Sequence, residues 1–387
     1  MDDPGSGTRP GPPAGRARRP AGTLRIGSIA GSDVLVSSSW FVVAAVIAFV
    51  MAPVVERVEP GLGAGRYVAG LAFAVLLYLS VLVHEAAHAV VARHYGHRVT
   101  SITLHFLGGM TAVETEARRP REEFWIAVVG PLASIAVGAA AVALWFVTPG
   151  GLLLLAVEGL AGANLLVGVL NLVPGLPLDG GRVMKAGVWK LTGDRHRGSL
   201  AAGWTGRGVA VLALGWPVLL GELLGTTPQL LDFLLAGLVA AFLWAGASAV
   251  IANARVRRRI PALRARELAR RPLLVPGDVS VAEAVRRAQA AEAGGIVTTT
   301  ADGTPAGLVS EAALRRVPAE RRPWAAVSEV ARRLDDGLRL PADLTGEALV
   351  DALTLTPSSE YLLVEADGSP YGVLSLADLD RSLRARD

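Results

Sequence analysis

Cysteine is absent from the 387 residues of this chain, and charged side chains are scarce. Without cysteine, neither a disulfide framework nor a thiolate metal site can form, so any metal must be bound by histidine, aspartate or glutamate. Only 19% of the residues are charged, whereas 52% are hydrophobic. This balance is too apolar for an ordinary soluble protein and predicts a polytopic α-helical membrane domain within a lipid bilayer.

Basic runs interleaved with aromatic residues are also missing, and the formal net charge is only +4. Both observations argue against a nucleic-acid partner. Residues 1–23 are rich in proline, glycine and arginine and show no apolar periodicity. We interpret them as a disordered cytoplasmic tail.

Six apolar stretches come close to the ~20 residues that a membrane helix needs. They indicate a membrane domain of about six spans within residues 24–255. The predicted spans are Val34–Val55, Tyr67–Ala92, Phe124–Val147, Leu152–Val173, Val209–Leu224 and Leu230–Ile251.

Positive charge is distributed unequally between the two sides of these spans. Arginines precede the first span and follow the last, and the connection between spans four and five is basic, whereas the loops at 148–151 and 225–229 carry no positive charge. The positive-inside rule therefore predicts a multi-pass protein of the cell membrane with both termini in the cytoplasm.

A cluster of polar residues, HEAAH, interrupts the second apolar stretch. His84 and His88 lie four residues apart, hence on one face of a helix, with Glu85 beside them. This H-E-x-x-H pattern provides two metal-binding imidazoles and a glutamate that accepts a proton from water. The alternative is two buried histidines hydrogen-bonded by their neighbours, which the high cost of ionisable groups inside a membrane disfavours.

A catalytic zinc site needs a third protein ligand, and Asp179 in the sequence NLVPGLPLDGGRV is the best candidate. Taken alone, this aspartate is more typical of a cap where a helix ends at Pro174 and Pro177. Spans two and four run in the same direction, however, so HEAAH and Asp179 are expected at the same membrane depth.

HEAAH, the downstream GGM, REEFWIAVVGPLAS and NLVPGLPLDGGR together resemble the site-2 protease family of intramembrane zinc metalloproteases, over roughly residues 24–255. The resemblance implies one Zn²⁺ per chain, held by His84, His88 and Asp179, with Glu85 as the catalytic base. It implies that Asn171 steadies the oxyanion, although an interhelical hydrogen bond is a nearly equal alternative. The implied activity is cleavage of transmembrane or membrane-proximal segments of membrane-protein substrates, in regulated intramembrane proteolysis.

The segment Thr100–Val113 alternates as a strand does, at Ile102, Leu104 and Phe106. Gly108 and Gly109 permit a tight bend or a close approach, and we expect them to help clamp an unwound substrate by strand addition. The alternative is a cytoplasmic hairpin without this role.

Two further groups of residues near the motifs carry weaker expectations. Small residues recur at every fourth position in the third span, which predicts that this span packs closely against another helix. The family resemblance implies that this region also lies beside the active site. The histidines that follow HEAAH are expected to be solvated or interfacial. The small residues are Gly130, Ser134 and Gly138, and the histidines are His94, His97 and His105.

After about residue 260 the chain becomes more polar, and two similar units follow, 261–320 and 321–387. Each is predicted to fold as helix, strand, turn, strand and helix, an α/β pair that resembles tandem CBS domains. The resemblance implies a regulatory module that binds an adenine nucleotide through Asp378, while Ala313 at the matching position puts binding by the first unit in doubt. Dimerisation or support of folding is the alternative role, and the sequence leaves a homo-oligomer open.

The rival function is a membrane transporter or channel with a cytoplasmic CBS regulator. A transporter has no need of HEAAH and a distant aspartate at one depth, and the spans show no inverted repeat. A catalytically inactive scaffold is a third alternative, which the intact motif residues His84, Glu85, His88 and Asp179 oppose.

Overall fold

The computed structural model describes residues 22–106 and 108–384. The predicted tail lies almost entirely outside these residues. The chain divides into two compact units, Met1–Ile251 and Ala252–Asp387, and each is described by itself.

Within residues 22–106 and 108–251, seven helices begin, and six of them are long and apolar enough to cross a membrane, which confirms the predicted fold class. Only α5 is too short to span. The helices are α1 Ser38–Val58, α2 Gly65–His94, α3 Pro120–Trp145, α4 Leu152–Asn171, α5 Asp179–Thr192, α6 Arg195–Leu224 and α7 Leu230–Arg259.

The observed helix limits differ from the predicted spans at several ends, and the first and fifth spans show the physical reason. The first helix begins at Ser38 rather than Val34, because residues 34–36 are buried in a strand and the Ser37 hydroxyl caps the helix by accepting from the Ser39 amide. The fifth span begins at Arg195, well before the predicted start, because Asp194 caps a polar first turn that hydropathy alone does not detect.

Four strands of the first unit form one sheet in the order β1-β2-β3-β4. The parallel pair is β2–β3, and the other two pairs are antiparallel. This arrangement makes β4 an edge strand. The strands are β1 Thr23–Ile29, β2 Ser32–Ser37, β3 Val99–His105 and β4 Gly108–Val113.

Strands β3 and β4 pair in an antiparallel manner, and β3 coincides with the strand that the alternating pattern predicts. Ile102 and Leu104 are buried against α1 and α2, as expected. Phe106 departs from the pattern, because it lies beyond the end of β3 and its side chain is 56% exposed.

Small residues bring the helices of this unit into close contact. A side chain on Gly70 of α2 would lie 2.7 Å from the Ala48 carbonyl of α1, and one on Gly138 of α3 would lie 2.8 Å from Leu165 of α4. Such contacts supply the van der Waals packing that membrane helices depend on. Gly138 thus has the packing role that its spacing predicts.

The second unit contains two four-stranded sheets, with orders β6-β7-β8-β9 and β10-β11-β12-β5. In each sheet a parallel strand pair is linked through a helix and followed by an antiparallel hairpin. The elements are α8 Ala265–Leu268, β5 Ala269–Arg270, β6 Pro272–Pro276, α9 Val281–Ala290, β7 Gly295–Thr299, β8 Pro305–Val309, α10 Glu311–Arg316, β9 Ala331–Arg333, β10 Arg339–Pro341, α11 Gly346–Leu355, β11 Glu360–Val364, β12 Pro370–Ser375 and α12 Leu376–Arg384.

Both repeats adopt the predicted succession of helix, strand, turn, strand and helix. The sheets nevertheless cross the expected limits of 261–320 and 321–387. Strand β9, which lies after residue 320, completes the first sheet, and β5, which lies within 261–320, completes the second. These short edge strands carry no periodic pattern of their own, so only long-range pairing assigns them to a sheet.

Candidate metal centre

Three side chains from two distant parts of the sequence meet inside the helical unit. The Nε2 atoms of His84 and His88 lie 3.2 Å apart, and each lies 3.2 Å from Oδ2 of Asp179. All three side chains are largely buried. HEAAH and Asp179 therefore converge, as the parallel directions of spans two and four predict.

The spacing of these three atoms suits a tetrahedral zinc ion. Bonds of about 2.0–2.1 Å to nitrogen and oxygen imply separations of about 3.3–3.4 Å between ligand atoms in a tetrahedron. The observed separations of 3.2 Å come close to this value. Three protein ligands leave a fourth position open, as in catalytic zinc sites.

Hydrogen bonds on the opposite side of each imidazole support the same conclusion. Nδ1 of His88 donates to the Ile126 carbonyl at 2.5 Å, and Nδ1 of His84 lies 2.9 Å from the Ser134 hydroxyl. With Nδ1 protonated, the neutral imidazole presents an unprotonated Nε2. Two unprotonated Nε2 atoms and a carboxylate oxygen, each 3.2 Å from the others, form a donor set that suits a metal cation.

Space for the imidazoles comes from Gly130 on α3. A β-carbon at this position would lie 2.2 Å from Nε2 of His88 and 2.8 Å from Nε2 of His84. Gly130 and Ser134 therefore border the candidate metal centre. Of the three small residues in the third span, Gly138 is the one that has the expected packing role.

Asp179 is the first residue of α5, and two glycines hold it in place. A β-carbon on Gly180 would lie 2.3 Å from the Leu172 carbonyl oxygen, and one on Gly181 would lie 2.2 Å from the Leu176 amide nitrogen. The turn after α4 can thus pack directly against the start of α5. This close approach delivers the Asp179 carboxylate to the histidines.

A buried ion-pair cluster fastens α5 to α3. Glu123 is only 4% exposed, and its Oε1 lies 3.1 Å from Nε of Arg182 and 3.5 Å from Nζ of Lys185. Sequence reasoning did not identify this pairing, although Glu123 belongs to the quoted REEFW segment and Arg182 follows the DGG of the aspartate motif.

Glu85 lines the same cavity as the three ligand residues and is buried against strand β4. The Thr111 hydroxyl donates to its Oε2 at 2.6 Å. A β-carbon on Gly109 would lie 2.3 Å from Cγ of Glu85, so only glycine fits at this point. The sequence pattern alone does not single out Thr111, although Thr111 lies in the segment Thr100–Val113 that is expected to contact the substrate.

A cavity of ≈ 530 Å³ joins these residues to the end of α4. Asn171, Gly108, Gly109 and Arg182 line it together with Glu85 and the three ligand residues. Among the residues that the structure describes, the Asn171 side chain has no hydrogen-bond partner, so the interhelical bond considered as its alternative is not observed.

Asn164 is a further cavity residue that the sequence analysis overlooked. It is buried, and its amide donates to the Leu160 carbonyl at 2.8 Å. Its position seven residues before Asn171 places both asparagines on one face of α4, and this spacing could have revealed it.

The expectation that His97 is solvated or interfacial is wrong. Its side chain is buried and contacts the Thr115 hydroxyl at 2.9 Å and Oε2 of Glu122 at 3.3 Å. The histidine follows the end of α2 and is covered where the β3–β4 hairpin leads into α3. His94, by contrast, is exposed as expected.

Comparisons with known proteins agree with this geometry. The model of peptidase family M50 matches residues 72–163, which include His84, Glu85 and His88. A relative from Mycobacterium tuberculosis, "Putative zinc metalloprotease Rip3", is 32% identical over 376 residues, which cover 92% of this chain and 92% of the relative.

Two solved structures each resemble part of the chain. The site-2 protease from Methanocaldococcus jannaschii is 21% identical, with a TM-score of 0.40, and the match covers 59% of this chain and 95% of that one. A conserved CBS domain protein from Thermoplasma acidophilum is 18% identical, with a TM-score of 0.26, and the match covers 32% of this chain and 72% of that one.

Replacement of Gly130 by alanine tests the metal centre without removing a ligand. The added methyl group displaces the His84 and His88 imidazoles, so we expect zinc affinity to fall by about tenfold or more. The measurement is zinc content per chain after dialysis at a series of free zinc concentrations. Gly162→Ala on α4 is the matched control, because its methyl group meets no atom within 4 Å. Equal zinc affinity in the two variants would contradict the assignment.

Proposed function

This chain belongs to peptidase family M50, and we propose that it is an intramembrane zinc endopeptidase that cuts transmembrane or membrane-proximal segments of other membrane proteins. The observation that carries the proposal is the meeting of three ligand atoms and Glu85 in one cavity among membrane-spanning helices. Membership of a peptidase family leaves the transporter alternative without support.

His84, His88 and Asp179 would hold the zinc ion. When bound, zinc polarises a substrate carbonyl and makes water more acidic, to a pKa of about 7. Glu85 accepts a proton from the attacking water and returns it to the leaving amine. Thr111 orients the Glu85 carboxylate through the 2.6 Å hydrogen bond, and Gly109 keeps the space that the carboxylate occupies.

Asn171 is suited to bind the carbonyl oxygen as that oxygen gains negative charge. It is the last residue of α4, lines the cavity, and has no hydrogen-bond partner among the described side chains and backbone. A free amide donor near the reacting carbonyl is what an oxyanion site requires.

Strand addition at β4 would hold the substrate in an extended form. A helical segment must unwind before its peptide carbonyls can react, since they are hydrogen-bonded within the helix. β4 is an edge strand, and Gly109 on this strand directly contacts Glu85. An extended segment paired with β4 at Gly108 and Gly109 would thus lie next to the catalytic base.

The proposed cellular role is regulated intramembrane proteolysis, with both termini and the second unit in the cytoplasm. The basic residues that follow the last span support this orientation. Its substrate would be a membrane-embedded peptide segment.

Glu85→Gln is the direct test of the protease function. Glu85 is not one of the three ligand residues, so the zinc content should stay at one ion per chain. Loss of the base should lower kcat by about 10² or more. Mass spectrometry of membrane-protein fragments compares cells that carry the wild type or the variant. Identical fragment profiles would refute the proposed protease.

Substrate pairing with β4 can be tested on the substrate side. Replacing single backbone amides near the cleavage site by esters removes one N–H donor at a time, which should slow cleavage by about two- to tenfold at each paired position. In a strand with one neighbour, the backbone N–H of only every second residue points towards that neighbour. The effect of the ester should therefore recur at every second position. A uniform effect, or none, would contradict strand addition.

We infer that the second unit regulates the protease through a ligand in the cleft between its two sheets. A cavity of ≈ 340 Å³ is lined by Arg270, Glu311, Glu360 and Ser375. The adenine nucleotide that the CBS resemblance implies would bind beside Asp378. In the structure, however, the Asp378 carboxylate is already bound by Arg270. Nη2 of Arg270 donates to Oδ1 of Asp378 at 2.8 Å, and its Nη1 donates to Oε1 of Glu311 at 2.7 Å.

These hydrogen bonds from Arg270 hold the pKa of the Asp378 carboxyl below its ordinary value, against burial, which raises it. The carboxylate is therefore ionised and paired at neutral pH. A nucleotide must displace Arg270 to reach it, and ligand binding would thereby release a contact that joins the two repeats.

Arg270→Gln tests this competition in the full-length protein. Removing the internal partner should raise the affinity for AMP by about fivefold, whereas Asp378→Asn should lower it. Thermal shift and isothermal titration with AMP provide the measurement. Unchanged affinity in both variants would show that the cleft is not a nucleotide site and would leave the second unit a structural element.

A further inference from the structure

Arg182 lies in the catalytic cavity without an assigned role. It sits one turn after Asp179 on α5, and its side chain, 33% exposed, lines the same cavity as Glu85 and Asn171. It shares this cavity with the carboxylates of Asp179 and Glu85. A guanidinium ion stays protonated under all ordinary conditions. The cavity therefore contains a permanent cation close to the proposed base.

The guanidinium is anchored at one side only. Nε of Arg182 contacts Oε1 of Glu123 at 3.1 Å. Within residues 22–106 and 108–384, neither terminal nitrogen of Arg182 has a hydrogen-bond partner. A guanidinium carries five N–H donors in a rigid fork, so four of them stay available.

The anchor of Arg182 is shared with a second cation. Oε1 of Glu123 contacts both Arg182 and Lys185. Lys185 does not line the cavity, whereas Arg182 does. Of the two cations, Arg182 is therefore the one placed to meet a substrate in the cavity.

We propose that Arg182 is a further catalytic residue, which binds the carbonyl oxygen of the scissile peptide as this oxygen becomes negative. Hydrolysis adds water across the peptide bond: the C–N bond breaks, the amine leaves with a proton, and the carbonyl carbon ends as a carboxylate. The same guanidinium then binds that carboxylate, the new C-terminus of the product. A fixed donor that meets developing charge needs no rearrangement during the reaction.

This inference rests on the proposed function, because it presupposes peptide hydrolysis in this cavity. The competing explanation is that Arg182 only fastens α5 to α3 and so positions Asp179. The two explanations differ in what happens when the guanidinium is kept and its anchor is removed.

The test compares variants in nanodiscs with a cleavable transmembrane peptide. Arg182→Gln should lower kcat by about 10²–10³, with KM changed little and zinc content unchanged. Glu123→Gln combined with Lys185→Gln removes the anchor without changing the net charge and keeps the guanidinium, so its kcat should fall by less than about tenfold. Lys185→Gln alone is the matched control for loss of one positive charge outside the cavity.

Binding of products provides a readout that is independent of turnover. In the Glu85→Gln background, a product peptide that ends in a carboxylate should bind about tenfold more tightly than the same peptide ending in an amide. Addition of Arg182→Gln should abolish most of this difference.

Equal losses of kcat in Arg182→Gln and in the Glu123/Lys185 double variant would overturn the proposal in favour of a positioning role. Should Arg182→Gln lose zinc, Arg182→Lys decides the question, because its single ammonium is taken up by Glu123: kcat should still fall by about tenfold, and a wild-type kcat would overturn the proposal. Absence of cleavage by the wild type would instead count against the proposed function itself.

Discussion

The structure of the helical unit depends on one polar contact in apolar surroundings, the meeting of Asp179 with His84 and His88. Ionisable groups inside a membrane domain are costly unless they are paired, so the surrounding helices must bring the three side chains together closely. Small residues make this possible: Gly130 leaves space for the imidazoles, and Gly180 and Gly181 let the start of α5 approach the end of α4. The same contact creates the site where water can be activated.

Much of this centre could be predicted from the sequence. The four-residue spacing of His84 and His88 places them on one helix face, and the parallel directions of two spans bring Asp179 to the same depth. The contacts that orient these residues were not predicted. The hydrogen bond between His84 and Ser134, and the one from Thr111 to Glu85, join residues 50 and 26 positions apart and carry no local pattern. His97 was misjudged for the same reason, since its burial depends on the hairpin that follows it.

The second unit shows the same division between what is local and what is long-range. Its two repeats and their order of helices and strands follow from the pattern of residues. The exchange of β5 and β9 between the sheets does not, because these strands are too short to show a period. Arg270 illustrates the functional consequence: it belongs to β5, yet it binds Asp378, 108 residues later, in the place where the family resemblance implies a ligand.

The central claim is that His84, His88 and Asp179 hold one zinc ion in the membrane. X-ray absorption at the zinc edge of the purified protein tests it most directly. We expect about one zinc ion per chain, bound by two imidazole nitrogens and by oxygen, at about 2.0–2.1 Å. Asp179→Ala should change the oxygen contribution and leave both imidazoles in place. A spectrum without two imidazoles, or one that Asp179→Ala leaves unchanged, would contradict the claim.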